Sequence, residues 1–112
     1  MASIDDLEVV VEQLPAGGAV VRVTGELDLA NVWALREKLE STSPSAPLVV
    51  DLTECSFLDS SAMRALLETA RKAEPVSGRV AVVAPAGGIR KALEIAGVDT
   101  VVPIHSTLAE AL

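Results

Sequence analysis

The sequence has few aromatic side chains and a shortage of basic charge. Its 112 residues include one Trp, one Phe and no Tyr, and 9 basic side chains face 16 acidic ones, so the formal net charge is −7. Proteins that recognise nucleic acid need a basic face, and those that bind single strands also use stacking aromatics. The composition therefore argues against direct binding to nucleic acid.

Cysteine and long apolar runs are equally scarce. The single cysteine, Cys55, excludes an internal disulfide framework and fits a reducing compartment. Asp5 and Asp6 lie where a secretory signal would carry positive charge. No apolar run approaches the ~20 residues that a membrane-spanning helix needs. We therefore expect a cytoplasmic protein without membrane insertion, folded as a single domain over residues 1–112.

Strand-like and helix-like patterns alternate along the chain. Two β-branched runs, at 7–14 and 19–24, flank a Pro/Gly segment and predict a β-hairpin. Apolar residues at helical spacing predict the helices, and short apolar runs predict the later strands. After the hairpin, the predicted helices cover 31–41, 60–73, 89–96 and 107–112, and the predicted strands cover 47–50, 79–83 and 100–104.

This order predicts an α/β fold with a mixed, mostly parallel sheet that opens with an antiparallel hairpin. Strand–helix–strand crossovers are right-handed and make the later strands parallel. The connections 25–30, 53–59 and 84–88 would each follow a parallel strand and lie together at the carboxyl edge of the sheet. Ligands and partners of open α/β sheets gather at that edge. We expect the functional residues there.

The connection before the second helix places Ser60 at a distinctive position. With Asp59 as N-cap, Leu58 and Met63 take the two positions of a hydrophobic staple and Ser60 is the exposed first helical residue. With Ser60 as N-cap the staple is lost, so we favour Asp59. A phosphate on Ser60 would lie at the positive end of the helix dipole and would leave the fold intact. Taken singly, Asp59 and Ser60 are also ordinary capping residues.

Three segments of the sequence resemble the STAS domain, in particular the single-domain anti-anti-sigma factors (anti-sigma factor antagonists). The segments are GELD at 25–28, PLVVDLTECSFLDSSA at 47–62 and GIRKALEIAGV at 88–98, and the resemblance covers almost the whole chain. It implies the STAS fold with about four helices. It also implies that Ser60 is the phosphoacceptor for a partner anti-sigma factor that is a serine kinase and itself holds the ATP.

The same resemblance implies a binding function without an enzyme activity or a cofactor. The unphosphorylated protein would bind the anti-sigma factor, phosphorylation would end that binding, and a phosphatase would restore it. Ala62 replaces a glycine common in the family, and its methyl could hinder a kinase, while Arg64 could pair with a phosphate or an acidic partner residue. The predicted partner-binding residues are Asp28, Asp59, Ser60, Ser61, Ala62 and Arg64.

Other interpretations of the sequence stay open at this point. The protein could be a STAS subunit of a signalling scaffold or lipid-transport complex that docks without a phospho-switch. A hydrolase using Ser60 is also conceivable, although the GxSxG elbow is missing and His105 is the sole histidine. Asp28 or Asn31 could cap the first helix. We expect Trp33 to be partly buried against the sheet; the alternative is an exposed anchor for a partner.

Overall fold

Five strands form one sheet whose spatial order follows the chain. The computed structural model describes residues 7–112. The first two strands pair antiparallel, and every later pair is parallel, which confirms the predicted mixed sheet opened by a hairpin. The strands are β1 (Glu8–Gln13), β2 (Ala19–Leu27), β3 (Leu48–Leu58), β4 (Val80–Val83) and β5 (Ile104–His105).

Four α-helices follow the strands, in agreement with the expected number. They are α1 (Val32–Glu40), α2 (Ser60–Ala73), α3 (Gly88–Ile95) and α4 (Leu108–Ala111). Short 3₁₀ turns cover Glu74–Val76 and Val98–Thr100. Within residues 7–112, no helix is both long enough and apolar enough to cross a bilayer. The prediction of one domain over 1–112 also includes residues 1–6, which lie outside the described part of the chain.

The two faces of the sheet are covered unequally. On one face, side chains of β2, β3 and β4 pack with buried leucines of the three longer helices into the main core. On the other face, Val20, Val49 and Val83 form a small second cluster against Leu108 and Ala111 of α4. Alternation along the strands accounts for this division, because successive side chains point to opposite faces.

Strands β2 and β3 extend further than the sequence predicts. β2 ends at Leu27 and β3 at Leu58, so most of the predicted connection 53–59 is strand. Between Arg22 and Glu26 of β2, the pairing shifts twice and leaves an additional residue on β3 each time. Such bulges break the regular alternation of buried and exposed side chains. The alternation of apolar and polar residues that predicts a strand therefore stops in the sequence, although β3 itself continues to Leu58.

The last strand is shorter than predicted and begins later. Only Ile104 and His105 pair with β4, whereas the prediction was a strand over 100–104. Gly97 adopts a left-handed conformation (φ 78°) and starts the 3₁₀ turn at Val98–Thr100. Pro103 carries no backbone N–H to donate to a sheet ladder. The prediction over 100–104 is thus wrong for every residue except Ile104.

Candidate functional site

Asp59 caps the N-terminus of α2, as the sequence predicts. Its backbone is extended, and its Oδ1 accepts hydrogen bonds from the N–H groups of Ser61 (3.0 Å) and Ala62 (3.3 Å). The same oxygen accepts the hydroxyl of Ser61 at 2.5 Å. Ser60 is therefore the first residue of the helix, and its side chain is exposed. The cap uses Asp59 and Ser61 and leaves the Ser60 hydroxyl outside it.

A buried asparagine shapes the connection between β2 and α1. The Asn31 side chain, 2% exposed, accepts the backbone N–H of Asp28 (2.9 Å) and donates to the carbonyl of Glu26 (2.9 Å). Asp28 in turn accepts the N–H of Ala30 at 3.0 Å. Asn31 occupies the N-cap position of α1, but its side chain makes no cap hydrogen bond. It fixes the preceding turn instead of capping the helix, a role that the sequence analysis missed.

Two hydrogen bonds join the β2–α1 connection to the start of α2. The N–H of Leu29 donates to Oδ2 of Asp59 at 3.0 Å, and the N–H of Asp59 donates to the carbonyl of Leu27 at 3.2 Å. Each oxygen of the Asp59 carboxylate thus serves a different element. The structure therefore holds the connection that contains Asp28 against the helix start that contains Ser60 and Ser61.

These contacts stabilise the charged form of Asp59. Burial alone would raise its pKa, but the hydroxyl of Ser61 and the N–H groups of Ala62, Ser61 and Leu29 outweigh that effect and lower the pKa. The carboxylate is consequently ionised at neutral pH. A fixed negative charge lies immediately before Ser60 in the chain.

Ala62 and Arg64 occupy very different environments. The methyl of Ala62 is 0% exposed and belongs to the main core. It cannot meet a partner, so the expectation that Ala62 binds a partner or that its methyl hinders a kinase is wrong. Arg64 is exposed one helical turn after Ser60, and within residues 7–112 its guanidinium makes no hydrogen bond or ion pair. Its charge acts on the carboxylate of Glu68, four residues further along α2.

Large apolar side chains are exposed on the segments that adjoin Asp28 and Asp59 in the chain. Leu29 is 77% exposed, Trp33 62% and Phe57 49%. The expectation that Trp33 is partly buried against the sheet is wrong: its position lies on the flank of the buried stripe of Val32, Leu35 and Leu39, and its side chain faces solvent. Leu29 was not among the predicted site residues. Its sequence signal is a large apolar side chain directly after the GELD turn, at the expected sheet edge.

Cys55, the single cysteine, is buried inside the sheet. Cys55 lies in β3, where its thiol donates to the carbonyl of Phe57 (3.2 Å) and burial raises its pKa. A buried thiol of raised pKa is a poor nucleophile. In the described range 7–112, no group of three or more His, Cys, Asp or Glu side chains could hold a metal ion.

Comparisons with known proteins find relatives of the chain in sequence and in fold. The STAS domain family matches residues 8–111 of the chain. The anti-sigma-F factor antagonist RsfB of Mycobacterium tuberculosis is 34% identical over 98 residues, which cover 86% of this chain and 80% of RsfB. A crystal structure of an anti-sigma factor antagonist from Mycobacterium paratuberculosis superposes with a TM-score of 0.87 at 30% identity, covering 99% of this chain and 95% of the other.

A second solved relative has been determined in two chemical states. The anti-sigma factor antagonist SpoIIAA in its unphosphorylated form matches with a TM-score of 0.76 at 26% identity, over 93% of this chain and 92% of SpoIIAA. The phosphorylated form of SpoIIAA, from Bacillus, matches with a TM-score of 0.69 at 25% identity, over 93% and 96% of the two chains. By sequence over nearly its whole length and by fold, this chain belongs to the STAS domain family.

Proposed function

We propose that this protein is an anti-sigma factor antagonist that is switched by phosphorylation of Ser60. The unphosphorylated form binds an anti-sigma factor that is a serine kinase, and the phosphorylated form is released. The observation that carries the proposal is the exposed Ser60 hydroxyl at the first position of α2, next to the cap of Asp59. Relatives named as anti-sigma factor antagonists, one of them solved with and without phosphorylation, support it.

Phosphorylation at this position changes the surface without unfolding the helix. The cap of α2 is made by the side chains of Asp59 and Ser61, and the Ser60 hydroxyl takes no part in it. A phosphate at the first helical residue lies beside backbone N–H groups and the positive end of the dipole, where anions are favoured. The switch therefore acts on binding rather than on the fold.

The charge around Ser60 favours release after phosphorylation. Glu26 is exposed at the end of β2, Asp28 is half-buried, and Asp59 carries an ionised carboxylate. A phosphate adds about −1.5 to −2 charges and brings the net charge from −7 to about −9. A partner packed against Ser60 would have to desolvate the phosphate beside these acids, which costs binding free energy.

In this scheme the protein contributes a docking surface and a phosphoacceptor, and the partner contributes the chemistry. The kinase brings the ATP, and a separate phosphatase returns Ser60 to its free form. Arg64 is exposed at the i+4 position from Ser60, a spacing at which opposite charges on a helix attract, so we expect it to pair with the phosphate. We place the protein in the cytoplasm, where such partners act.

The proposal is tested with the anti-sigma factor kinases encoded in the genome of the source organism. Each purified kinase is incubated with the protein and ATP, and the modified residue is mapped by mass spectrometry. We expect one phosphate on Ser60, its loss in Ser60→Ala, and its retention in Ser61→Ala, because the Ser61 hydroxyl is engaged by Asp59. Absence of phosphate from Ser60 with every kinase would refute the phospho-switch.

Binding is measured with the same kinases by isothermal titration calorimetry. Ser60→Ala should bind like the wild type, and Ser60→Asp should weaken binding by about 100-fold or more, because a buried unpaired charge costs several kcal/mol. Equal affinities of the two variants would favour the other STAS function, a scaffold or lipid-transport subunit that docks without a switch.

A further inference from the structure

We infer that Leu29 and Trp33 form an apolar anchor pair that holds the partner in its unphosphorylated complex and decides which partner is accepted. The inference rests on the proposed function. The occupant it assigns is the anti-sigma factor, through an apolar depression bordered by Lys or Arg side chains. Ser60 would then govern release, whereas the anchor pair would supply affinity and selectivity.

The exposure of the anchor pair is the first observation. Leu29 is 77% and Trp33 62% exposed, and they lie four residues apart across the turn that starts α1. Trp is among the side chains most enriched in interface hot spots, and burying an exposed Leu adds apolar area removed from water. The sequence contains just one Trp, and the fold presents it to solvent rather than to the core.

The rigidity of the backbone beneath the anchor pair is the second observation. The N–H of Leu29 is held by Oδ2 of Asp59 at 3.0 Å, and buried Asn31 holds the turn on both sides through Asp28 and Glu26. A side chain on a fixed backbone loses less conformational entropy on binding than one on a loose loop. Leu29 is therefore already held in a fixed backbone position before a partner binds.

The connection to Ser60 is the third observation. Asp59 uses Oδ2 for the N–H of Leu29 and Oδ1 for the cap of α2, so one carboxylate holds Leu29 against the helix start that carries Ser60. Asp59 is therefore a positioning residue as well as an acidic neighbour of Ser60. A partner seated on Leu29 therefore lies next to the start of α2.

The charge of the surrounding surface specifies the partner's chemistry. Three acidic side chains belong to the segments that adjoin Leu29: Glu26 and Asp28 precede it in the chain, and Asp59 accepts its N–H. Basic side chains on the partner would complement them and increase the association rate, while its apolar depression would receive Leu29 and Trp33. This combination excludes partners with an acidic docking face.

The test measures binding to the anti-sigma factor kinase that phosphorylates Ser60. Leu29→Ser and Trp33→Ser should each raise the dissociation constant by about 10-fold or more, the effect of typical interface anchors. Ile95→Ser is the matched control, because Ile95 is 81% exposed and is the last residue of α3, a helix whose start and not its end lies at the carboxyl edge of the sheet. It should leave the dissociation constant unchanged, and Leu29→Met should bind like the wild type. Thermal unfolding should show that all four variants are folded.

The outcomes separate the inference from the function on which it rests. Unchanged affinity of Leu29→Ser and Trp33→Ser, with the wild type binding and losing affinity on phosphorylation, would overturn the anchor pair alone. An equal loss in Ile95→Ser would overturn it as well, because the effect would then not belong to this surface. Failure of the wild type to bind any anti-sigma factor would overturn both the function and the anchor pair.

Discussion

The starts of α2 and α3 lie at the same edge of the sheet and differ in almost everything else. Asp59 caps α2 with three hydrogen bonds from Ser61 and Ala62 and holds Leu29 of the neighbouring connection by a fourth. At α3 the N-cap is Gly87, with φ 151° and ψ −164°, and no side chain caps the helix. One start is fixed by a carboxylate, the other by a backbone conformation open to glycine.

The comparison shows that a helix N-terminus at a sheet edge does not by itself make a functional site. A side chain of α3 itself, Arg90, fastens that helix to the sheet. Its guanidinium donates to the carbonyls of Ala84 and Ile104 (both 3.3 Å) and to the hydroxyl of Ser106 (2.9 Å). Those contacts secure the helix to β4 and β5. At α2, the fixing contacts instead hold an exposed serine and an exposed leucine in a defined relation.

The largest expected effect comes from replacing Asn31, whose side chain fixes the connection between β2 and α1. Asn31→Ala removes the acceptor for the Asp28 N–H and the donor to the Glu26 carbonyl. Asn31 itself is only 2% exposed. Unsatisfied buried polar groups and the lost volume should lower the free energy of unfolding by about 3 kcal/mol. Urea unfolding followed by circular dichroism measures this change.

Asn31→Asp serves as the matched variant for that experiment. It keeps an oxygen that can accept from Asp28 but sets a buried carboxylate oxygen against the Glu26 carbonyl, so its loss of stability should be at least as large as that of Asn31→Ala. Binding to the kinase should weaken in both variants, because the turn that carries Leu29 is no longer fixed. An Asn31→Ala variant as stable as the wild type would contradict the role of Asn31 in fixing the turn before α1.

Gly87 and Gly88 are adjacent at the start of α3. Replacing each of them by alanine should change the free energy of unfolding in opposite directions. Gly87→Ala should lower the free energy of unfolding by about 2 kcal/mol, since φ 151° with ψ −164° is accessible essentially to glycine alone. Gly88→Ala should raise it by up to about 1 kcal/mol, because Gly88 is helical, an added Cβ meets nothing within 4 Å, and alanine is the better helix former.

Thermal denaturation of the two variants measures these shifts, and neither should change binding to the kinase by more than a small factor. A loss of binding in the folded Gly88→Ala variant would show that the α3 start belongs to the docking surface after all. Equal destabilisation by both substitutions would contradict the difference in backbone conformation.

The smallest expected effect is a pH dependence carried by Asp59. Its pKa is lowered in the folded protein, so it contributes stability above its ordinary pKa of about 4, and this contribution disappears as the pH falls through the lowered value. Asp59→Asn keeps a good capping residue without the charge. The wild type should therefore exceed Asp59→Asn by about 1 kcal/mol at pH 7 and lose that advantage towards pH 2.

Unfolding by urea at a series of pH values from 7 to 2 provides the measurement. A difference between the wild type and Asp59→Asn that stays constant over the whole series would show that the hydrogen bonds at Asp59 do not favour its charged form.

The sequence was sufficient for the order of elements and for the cap at Asp59, because both depend on local chemistry. The spacing of apolar residues predicts α2, and the staple positions of Leu58 and Met63 identify Asp59 as its N-cap from the sequence alone. The parallel order also predicted correctly that the connections after β2 and β3 lie together, since crossover geometry leaves little choice.

The features that sequence reasoning missed depend on tertiary contacts. The bulges in β3 disturb its alternation, so residues 53–58 had no strand pattern to detect. Asn31 looked like a helix cap, and only the path of β2 showed that its amide reaches the carbonyl of Glu26. The direction of Trp33 could not be determined from helical spacing, since its position lies on the flank between the apolar and polar faces.

The sheet order β1-β2-β3-β4-β5 has a consequence for how the chain folds during synthesis. Each strand pairs with the one translated just before it, so no strand has to insert between two that are already paired. The connections that carry Leu29, Asp59 and Ser60 belong to the first two parallel crossovers. We expect a nascent chain to build outward from its amino-terminal hairpin, with the docking surface laid down before the last two strands have left the ribosome.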